Sequence, residues 1–424
     1  MSATESRQPL KGPTARLSVC LLTTSYPSFR PDEAVFPRGK FVHDMARFLV
    51  REGLSVDVVT HADEGTPAYS VVNAVRVHRY SVPGIHLLVD GGGLPENVRS
   101  PRKRLVLPLY FSGMLWKGLR ELRSNGSQII NAHWAFPTGL IGVALKFISR
   151  RPLLITIYGA EVYPFREGHW PWLKPLVGWV IRKADWVVAI SRAAADAAEA
   201  VSGRAGISVI PDGIDVDYYS PGPRHLAVAA KYGLGDKRFL FFTGRMVERK
   251  GHRFIVEAMG QLRSELPDVC ALVGGDGPLM EPIRRRAKDL GVDGRMVFPG
   301  TIPESDLVPL LRTCDLYVLP SCIDAKGDTE GSATAALEAM ACGSIALVSD
   351  VGGNSGSIEN GRGAFYFRPA DSRDLADRVR QVLSRPDLSE QRRLGREYVV
   401  SRYAWQQAIA GYLRLIDTSA RQGG

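Results

Sequence analysis

The 424-residue sequence predicts an α/β protein made of two parallel-sheet domains facing each other across a cleft. Three observations carry this. Short apolar runs ending in turn residues alternate with longer amphipathic segments. The alternation breaks once, at PDGIDVDYYSPGPR (residues 211–224), a stretch rich in Pro, Gly and Asp, and then restarts. The chain is also too long for one ordinary core.

In order, LSVCLL followed by TTSYP reads as a buried strand and its turn. Phe41, Val42, Met45, Phe48 and Leu49 recur at helical spacing, and Gly53 suits the residue just past the helix end. SVDVVTHA is the next strand, which completes a βαβ unit. QIINAHW, LLITIYG, WVVAIS and ISVIP follow as strands, with PTGLIGVALKFISR and SRAAADAAEAV as helices between them. Past the break, RFLFFTG, VCALVGG, MVFPG, DLYVLPS, IALVSD and AFYFRP are strands. HRFIVEAMGQLRSEL and PLMEPIRRRAKDLG are helices, Pro278 suiting a first helical turn. Ser332–Cys342 is apolar nearly all round and reads as a buried helix. From about Leu383 the tail is helical and charged. The expected division is a flexible leader over 1–15, domains over 16–215 and 216–400, and a final helix and tail over 401–424.

At 45% hydrophobic and 23% charged residues, the composition excludes disordered and collagen-like classes. The net charge of +10 favours an anionic partner: a nucleotide, a nucleic acid or an anionic membrane. No aromatic-basic RNA signature or helix-turn-helix cue appears, which argues against nucleic acid. Five dispersed cysteines, with no CxxC pair, fit reduced thiols in a cytoplasmic protein. LSVCLL is too short for a secretory signal, and no apolar run approaches a membrane span.

Three loops carry candidate chemistry. In FFTGRMVERKG, Arg245 and Lys250 lie between a strand and a helix, where two cations suit phosphate oxygens. In VGGDGPLMEPI, Gly274, Gly275 and Gly277 let backbone approach a ligand, but the pattern is not the dinucleotide fingerprint. In DTEGSATAALEAMACG, the amides from Ser332 to about Ala335 suit a diphosphate at a helix start. Glu330 then lies where an attached sugar would be. Glu338, deeper in, suits ribose hydroxyls, because a buried acid needs partners.

Taken together, GRMVERKG, GGDGP, EGSATAALEAMACG and SDVGG resemble, in order and spacing, the nucleotide-binding half of the retaining glycosyltransferases of family 4. TTSYP, NAHWAFPTGL, TIYGAEVY, AISRAAADA and VIPDGIDVDYYSP extend the resemblance through the first half. It implies the GT-B fold: two Rossmann-like domains, a nucleotide sugar held mainly by the second, and a last helix that crosses back to the first. It further implies that Arg245 and Lys250 neutralise the leaving diphosphate, that Glu330 lies near the donor sugar, and that Glu338 lies on the ribose. His133 matches the histidine that reaches the donor sugar from the other domain. Gly39 matches a loop that approaches the donor phosphates, and Glu161 matches a carboxylate that is usually Asp. Gly275, Gly277, Gly331, Ser332, Ala333 and Thr334 complete the implied binding set.

The chain departs from the family at Ser332 and Ala333, where a bulky apolar residue and then Gly or Pro are usual. It departs also in GGNSGSIENGRGAF and in having a single glycine, Gly39, in the first loop. The implied reaction moves a sugar from a UDP or GDP sugar to an acceptor hydroxyl with retention, in glycan, polysaccharide or glycolipid assembly. The alternatives are a GT-B epimerase or phosphorylase, and a non-catalytic sugar-nucleotide-binding protein. Neither a cofactor nor a metal is expected. The Asp215–Asp217 pair, DVD, sits in the linker and reads as structural. Pro101–Arg123 and Gly168–Lys183 combine Trp, Leu and Phe with basic residues. Either is a core helix with a basic outer face or an interfacial surface on anionic lipid at the inner membrane face, where a lipid-linked acceptor sugar would lie.

Overall fold

The computed structural model describes residues 17–29, 39–89, 103, 105–165, 168 and 170–420, so the expected leader lies outside the described residues. The first sheet contains β1 (Ser18–Leu22), β2 (Ser55–His61), β3 (Tyr69–Val72), β4 (Val75–Tyr80), β5 (Ile129–His133), β6 (Leu153–Ile157), β7 (Trp186–Ala189) and β8 (Ser208–Val209). Its order is β3-β4-β2-β1-β5-β6-β7-β8, parallel except for β3. The second contains β9 (Arg238–Thr243), β10 (Val269–Gly274), β11 (Met296–Val297), β12 (Leu316–Leu319), β13 (Ile345–Ser349) and β14 (Ala364–Phe367). Its order, β11-β10-β9-β12-β13-β14, reverses between β9 and β12. That reversal is the switch point at which an open parallel sheet holds a ligand.

Each sheet is buried on both faces, as continuous apolar strands require. Helices Leu107–Ser124, Leu140–Ser149, Lys174–Lys183 and Arg192–Ser202 cover one face of the first sheet. Lys40–Arg51 and the last helix, Trp405–Ala420, cover the other. Trp405 stacks on Phe48 with centroids 5.7 Å apart, so the chain's last helix returns to the first domain. The two crossings are laced together: Ile214 N donates to Tyr403 O at 2.6 Å, and Trp405 N donates to Ile214 O at 3.3 Å. A Cβ on Gly213 would sit 2.3 Å from the Trp405 ring, so only glycine fits there.

Two boundaries differ from the sequence reading. The buried helix starts at Thr334 and ends at Ala341, not Ser332 to Cys342. The helix after the glycine cluster starts at Met280, so Pro278 precedes it. The β3–β4 hairpin was not expected. Its turn, Asn73-Ala74, takes positive φ at both residues (51° and 62°), a primed turn made without glycine.

Candidate functional site

The second domain's site is built by close backbone approaches. Gly251 follows the turn Glu248–Lys250, and a Cβ there would lie 1.8 Å from Pro320 O. Its absence lets the turn sit against the end of β12, where Cys322 N donates to Arg249 O at 2.8 Å. The two cations then face Glu330. Lys250 Nζ lies 2.7 Å from Glu330 Oε1, and Arg249 Nη1 donates to the same oxygen at 2.9 Å. Ser321 Oγ also donates to it, at 3.2 Å. Burial pushes the Glu330 carboxyl up, but the charges of Lys250 and Arg249 and these hydrogen bonds outweigh it and hold its pKa below the usual range. Arg249 was missed in the sequence. Arg245 is exposed on the loop after β9.

Gly275 and Gly277 are required by the packing of two loops. Their missing side chains make room for backbone: a Cβ would lie 1.9 Å from Gly244 O and 2.6 Å from Met246 O. The two loops therefore stack on one another at the switch point. Ala333 caps the helix Thr334–Ala341 with no side-chain bond, which leaves the first helical amides without a capping acceptor. Ser332 and Thr334 flank Ala333 and are half-buried.

His133 ends β5 and is fully buried. Its Nδ1 lies 2.7 Å from the Tyr158 hydroxyl, and its Nε2 has no partner. Burial drives its pKa down to about 3, so the ring is neutral at physiological pH. Tyr158, which the sequence reading passed over, connects the domains. Its hydroxyl meets His133, while a Cβ on Gly331 would lie only 2.2 Å from its carbonyl oxygen. Gly353 packs behind Gly331 in the same way, its Cβ position 1.9 Å from Gly331 O. His133 and the Glu330 loop thus meet through one residue.

Glu161 bends back on its own loop, accepting from Tyr158 N at 3.1 Å and Gly159 N at 2.9 Å. Gly39 starts the helix Lys40–Arg51 with φ 72°, and a Cβ would lie 2.0 Å from Ser25 O. The charge of Lys40, beside it, acts on Glu338 from the other domain, and the Tyr219 hydroxyl, within Glu338's own domain, hydrogen-bonds to it. Asp215 pairs with Arg47 Nη2 at 2.6 Å and accepts the amides of Asp217 and Tyr218, so the DVD carboxylate holds the linker. All five cysteines are free and buried. Among the described residues, no group of three or more His, Cys, Asp or Glu side chains is placed to hold a metal.

Burial raises Glu338, Glu161 and Asp212 each to about 7. A carboxyl raised on folding binds more protons in the native state, so stability falls as pH rises between its unfolded value, near 4.5 for Glu, and 7. The depressed groups, Glu330, Asp57 and Asp215, act in the opposite sense, but only below the usual carboxylate range. The buried imidazoles of His133, His43 and His252, lowered by burial to about 3, 4 and 4, oppose the fall caused by the raised carboxyls, because each adds stability as pH rises toward the free histidine value of 6.5. The Glu338 contribution is therefore read by difference: the melting temperature of Glu338→Gln relative to wild type should rise from pH 5 to 7 in a pH series of thermal melts, and a pH-independent difference would remove Glu338 from this account.

Comparison with known proteins agrees with this geometry. Residues 228–397 match the family model of group 1 glycosyl transferases, and residues 39–218 match that of glycosyltransferase family 4. The chain is 28% identical over 309 residues to a GDP-mannose-dependent alpha-(1-6)-phosphatidylinositol monomannoside mannosyltransferase of Mycolicibacterium smegmatis, covering 70% of this chain and 79% of that protein. It is 26% identical over 398 residues to a 2-deoxystreptamine glucosyltransferase of Streptomyces kanamyceticus, covering 88% and 97%. Among solved structures, sucrose-phosphate synthase from Thermosynechococcus elongatus superposes with a TM-score of 0.75 at 21% identity, over 96% of this chain and all of that one. Two parallel-sheet domains, a last helix returning to the first, and family matches over both halves place this chain among the group 1, family 4 glycosyltransferases of GT-B fold.

Proposed function

We propose that the protein transfers a hexosyl group from a UDP or GDP sugar to an acceptor hydroxyl, with retention and without a metal. The observation that carries this is the Tyr158 junction, which sets His133 beside the loop of Glu330, Arg249 and Lys250. The donor diphosphate lies on the helix start at Thr334, against Lys250 and Arg245. The ribose meets Glu338 and the sugar meets Glu330. The acceptor hydroxyl attacks the anomeric carbon from the leaving-group face, the bond to the diphosphate breaks, and a diphosphate oxygen takes the hydroxyl proton. With Tyr158 donating to Nδ1, the neutral His133 presents Nε2–H to a sugar hydroxyl. The domains part for donor admission about the laced crossings at Ile214 and Ala404. Two relatives are named for hexosyl transfer, one of them GDP-mannose-dependent and named for phosphatidylinositol monomannoside, which supports both the donor class and an anionic or lipid-linked acceptor.

A surface feature supports a membrane-borne acceptor. On three neighbouring helices of the first domain, Leu109, Trp116, Phe147, Ile148 and Trp179 point outward; Trp116 is 60% exposed, and Trp172, beside them, is 76% exposed. Arg120, Arg123, Lys174 and Lys183 are exposed among them. This amphipathic face fits an anionic bilayer at the cytoplasmic side. No described helix is long and apolar enough to cross a membrane. The test is turnover of UDP-glucose and GDP-mannose, each with soluble sugars and with anionic vesicles carrying glycolipid extract. Proton NMR reads the product anomer. An α-linked product from one donor is expected, faster with vesicles. An inverted product, or neither donor consumed with any acceptor, would overturn the reading.

A further inference from the structure

Arg249 has no place in the site as read from sequence, yet it is held from three directions. Its Nη1 donates to Glu330 Oε1 at 2.9 Å, its Nε lies 3.4 Å from Asp328 Oδ2, and its carbonyl accepts from Cys322 N at 2.8 Å. Lys250 Nζ and Ser321 Oγ approach the same Glu330 oxygen, at 2.7 Å and 3.2 Å. Three donors on one carboxylate oxygen exceed its two lone pairs. One of them is therefore replaceable at little cost. Lys250, a point charge on a flexible four-carbon stem, has no second acidic partner among the described ion pairs. Arg249 has Asp328, and its planar fork is fixed.

We propose that Arg249 is a positioning residue: the standing counter-ion of Glu330, whose hold on the carboxylate releases Lys250 to an incoming nucleoside diphosphate. This rests on the reading of Lys250 and Glu330 as donor-site residues. Without Arg249, Lys250 is the main cation left on Glu330 and is withheld from phosphate. Removing the Glu330 charge as well sets Lys250 free again.

A double-mutant cycle tests this, with UDP and GDP as probes and calorimetric Kd as the readout on the full chain. Arg249→Gln should weaken diphosphate binding about tenfold, the order expected for one lost charge contact. Glu330→Gln should bind at least as tightly as wild type. The double variant should recover to within about threefold of Glu330→Gln, a coupling that two independent changes would not show. A double variant as weak as Arg249→Gln would mean that Arg249 touches the ligand itself, and would overturn the proposal. Wild-type affinity in Arg249→Gln would overturn it equally. If Arg249→Gln does not fold, Arg249→Lys carries the same cycle. It keeps the charge but loses the two-sided grip, and a weaker loss, again rescued by Glu330→Gln, is expected; no loss or no rescue overturns the proposal. Failure of wild type to bind either probe would instead sink the donor-site reading beneath it.

Discussion

Glu330→Gln is expected to lower kcat by about 10²- to 10³-fold, the scale of removing one preorganised charged group from a reacting centre. The carboxylate is buried, at 7% exposure, and is held ionised by Lys250 and Arg249 against the pull of burial. Gln keeps the shape and an oxygen for Ser321, but the charge held by Lys250 and Arg249 is gone. The substitution also leaves two cations beside a neutral amide. Breaking a buried pair costs about 3–5 kcal/mol. Here Arg249 and Lys250 keep 30% and 18% of their side chains in solvent, so the cost falls to about 1–2 kcal/mol. The variant should therefore fold, melt a few degrees lower and lose turnover without losing diphosphate affinity. Steady-state kinetics beside a thermal melt check this: wild-type kcat in a folded variant would exclude Glu330 from the chemistry.

Gly331→Val is expected to give the second large effect by a different route. A Cβ at Gly331 would lie 2.2 Å from Tyr158 O and 3.2 Å from Ile190 Cδ1, and both belong to the other domain. Neither the core of the first domain nor that of the second includes this contact, so each domain should stay folded. The domains must then stand further apart at the Tyr158 junction, which lies between His133 and the Glu330 loop. A misplacement of about 1 Å costs about a hundredfold in rate. A similar loss of kcat is expected, with a near-wild-type melting temperature. Gly294→Ala, where a Cβ meets nothing within 4 Å, serves as the neutral control. Full activity in Gly331→Val would show that this domain contact is dispensable.

The architecture was legible because both sheets are written as apolar strands alternating with amphipathic helices, a pattern that periodicity reads directly. The β3–β4 hairpin was not, because Asn73-Ala74 lacks the glycine that marks a primed turn. Lys250, Glu330 and Glu338 were singled out because each stands in a loop or short helix suited to phosphate or sugar chemistry, and His133 only because NAHW resembles the family's motif. Arg249 was not. Its pairing with Glu330 spans 81 positions and exists only because β9 and β12 are neighbours at the sheet's reversal. Tyr158 was missed for the same reason: nothing local in TIYGAE says that its two ends touch different domains. The glycines of VGGDG were read as room for a ligand, and the Cβ space of Gly275 and Gly277 is taken by the Gly244 and Met246 backbone and that of Gly274 by the Ile302 side chain. Sequence marks where backbone comes close, but not to what.

The most direct test of a metal-free nucleotide-sugar site is calorimetric binding of UDP and GDP in EDTA to wild type and to Arg245→Ala/Lys250→Ala. Wild type should bind one of the two without a divalent cation, and the double variant should lose at least tenfold in affinity, as expected when charged contacts to phosphate are removed. Binding that appears only with Mg²⁺, or that survives the double substitution intact, would contradict the site described for this chain.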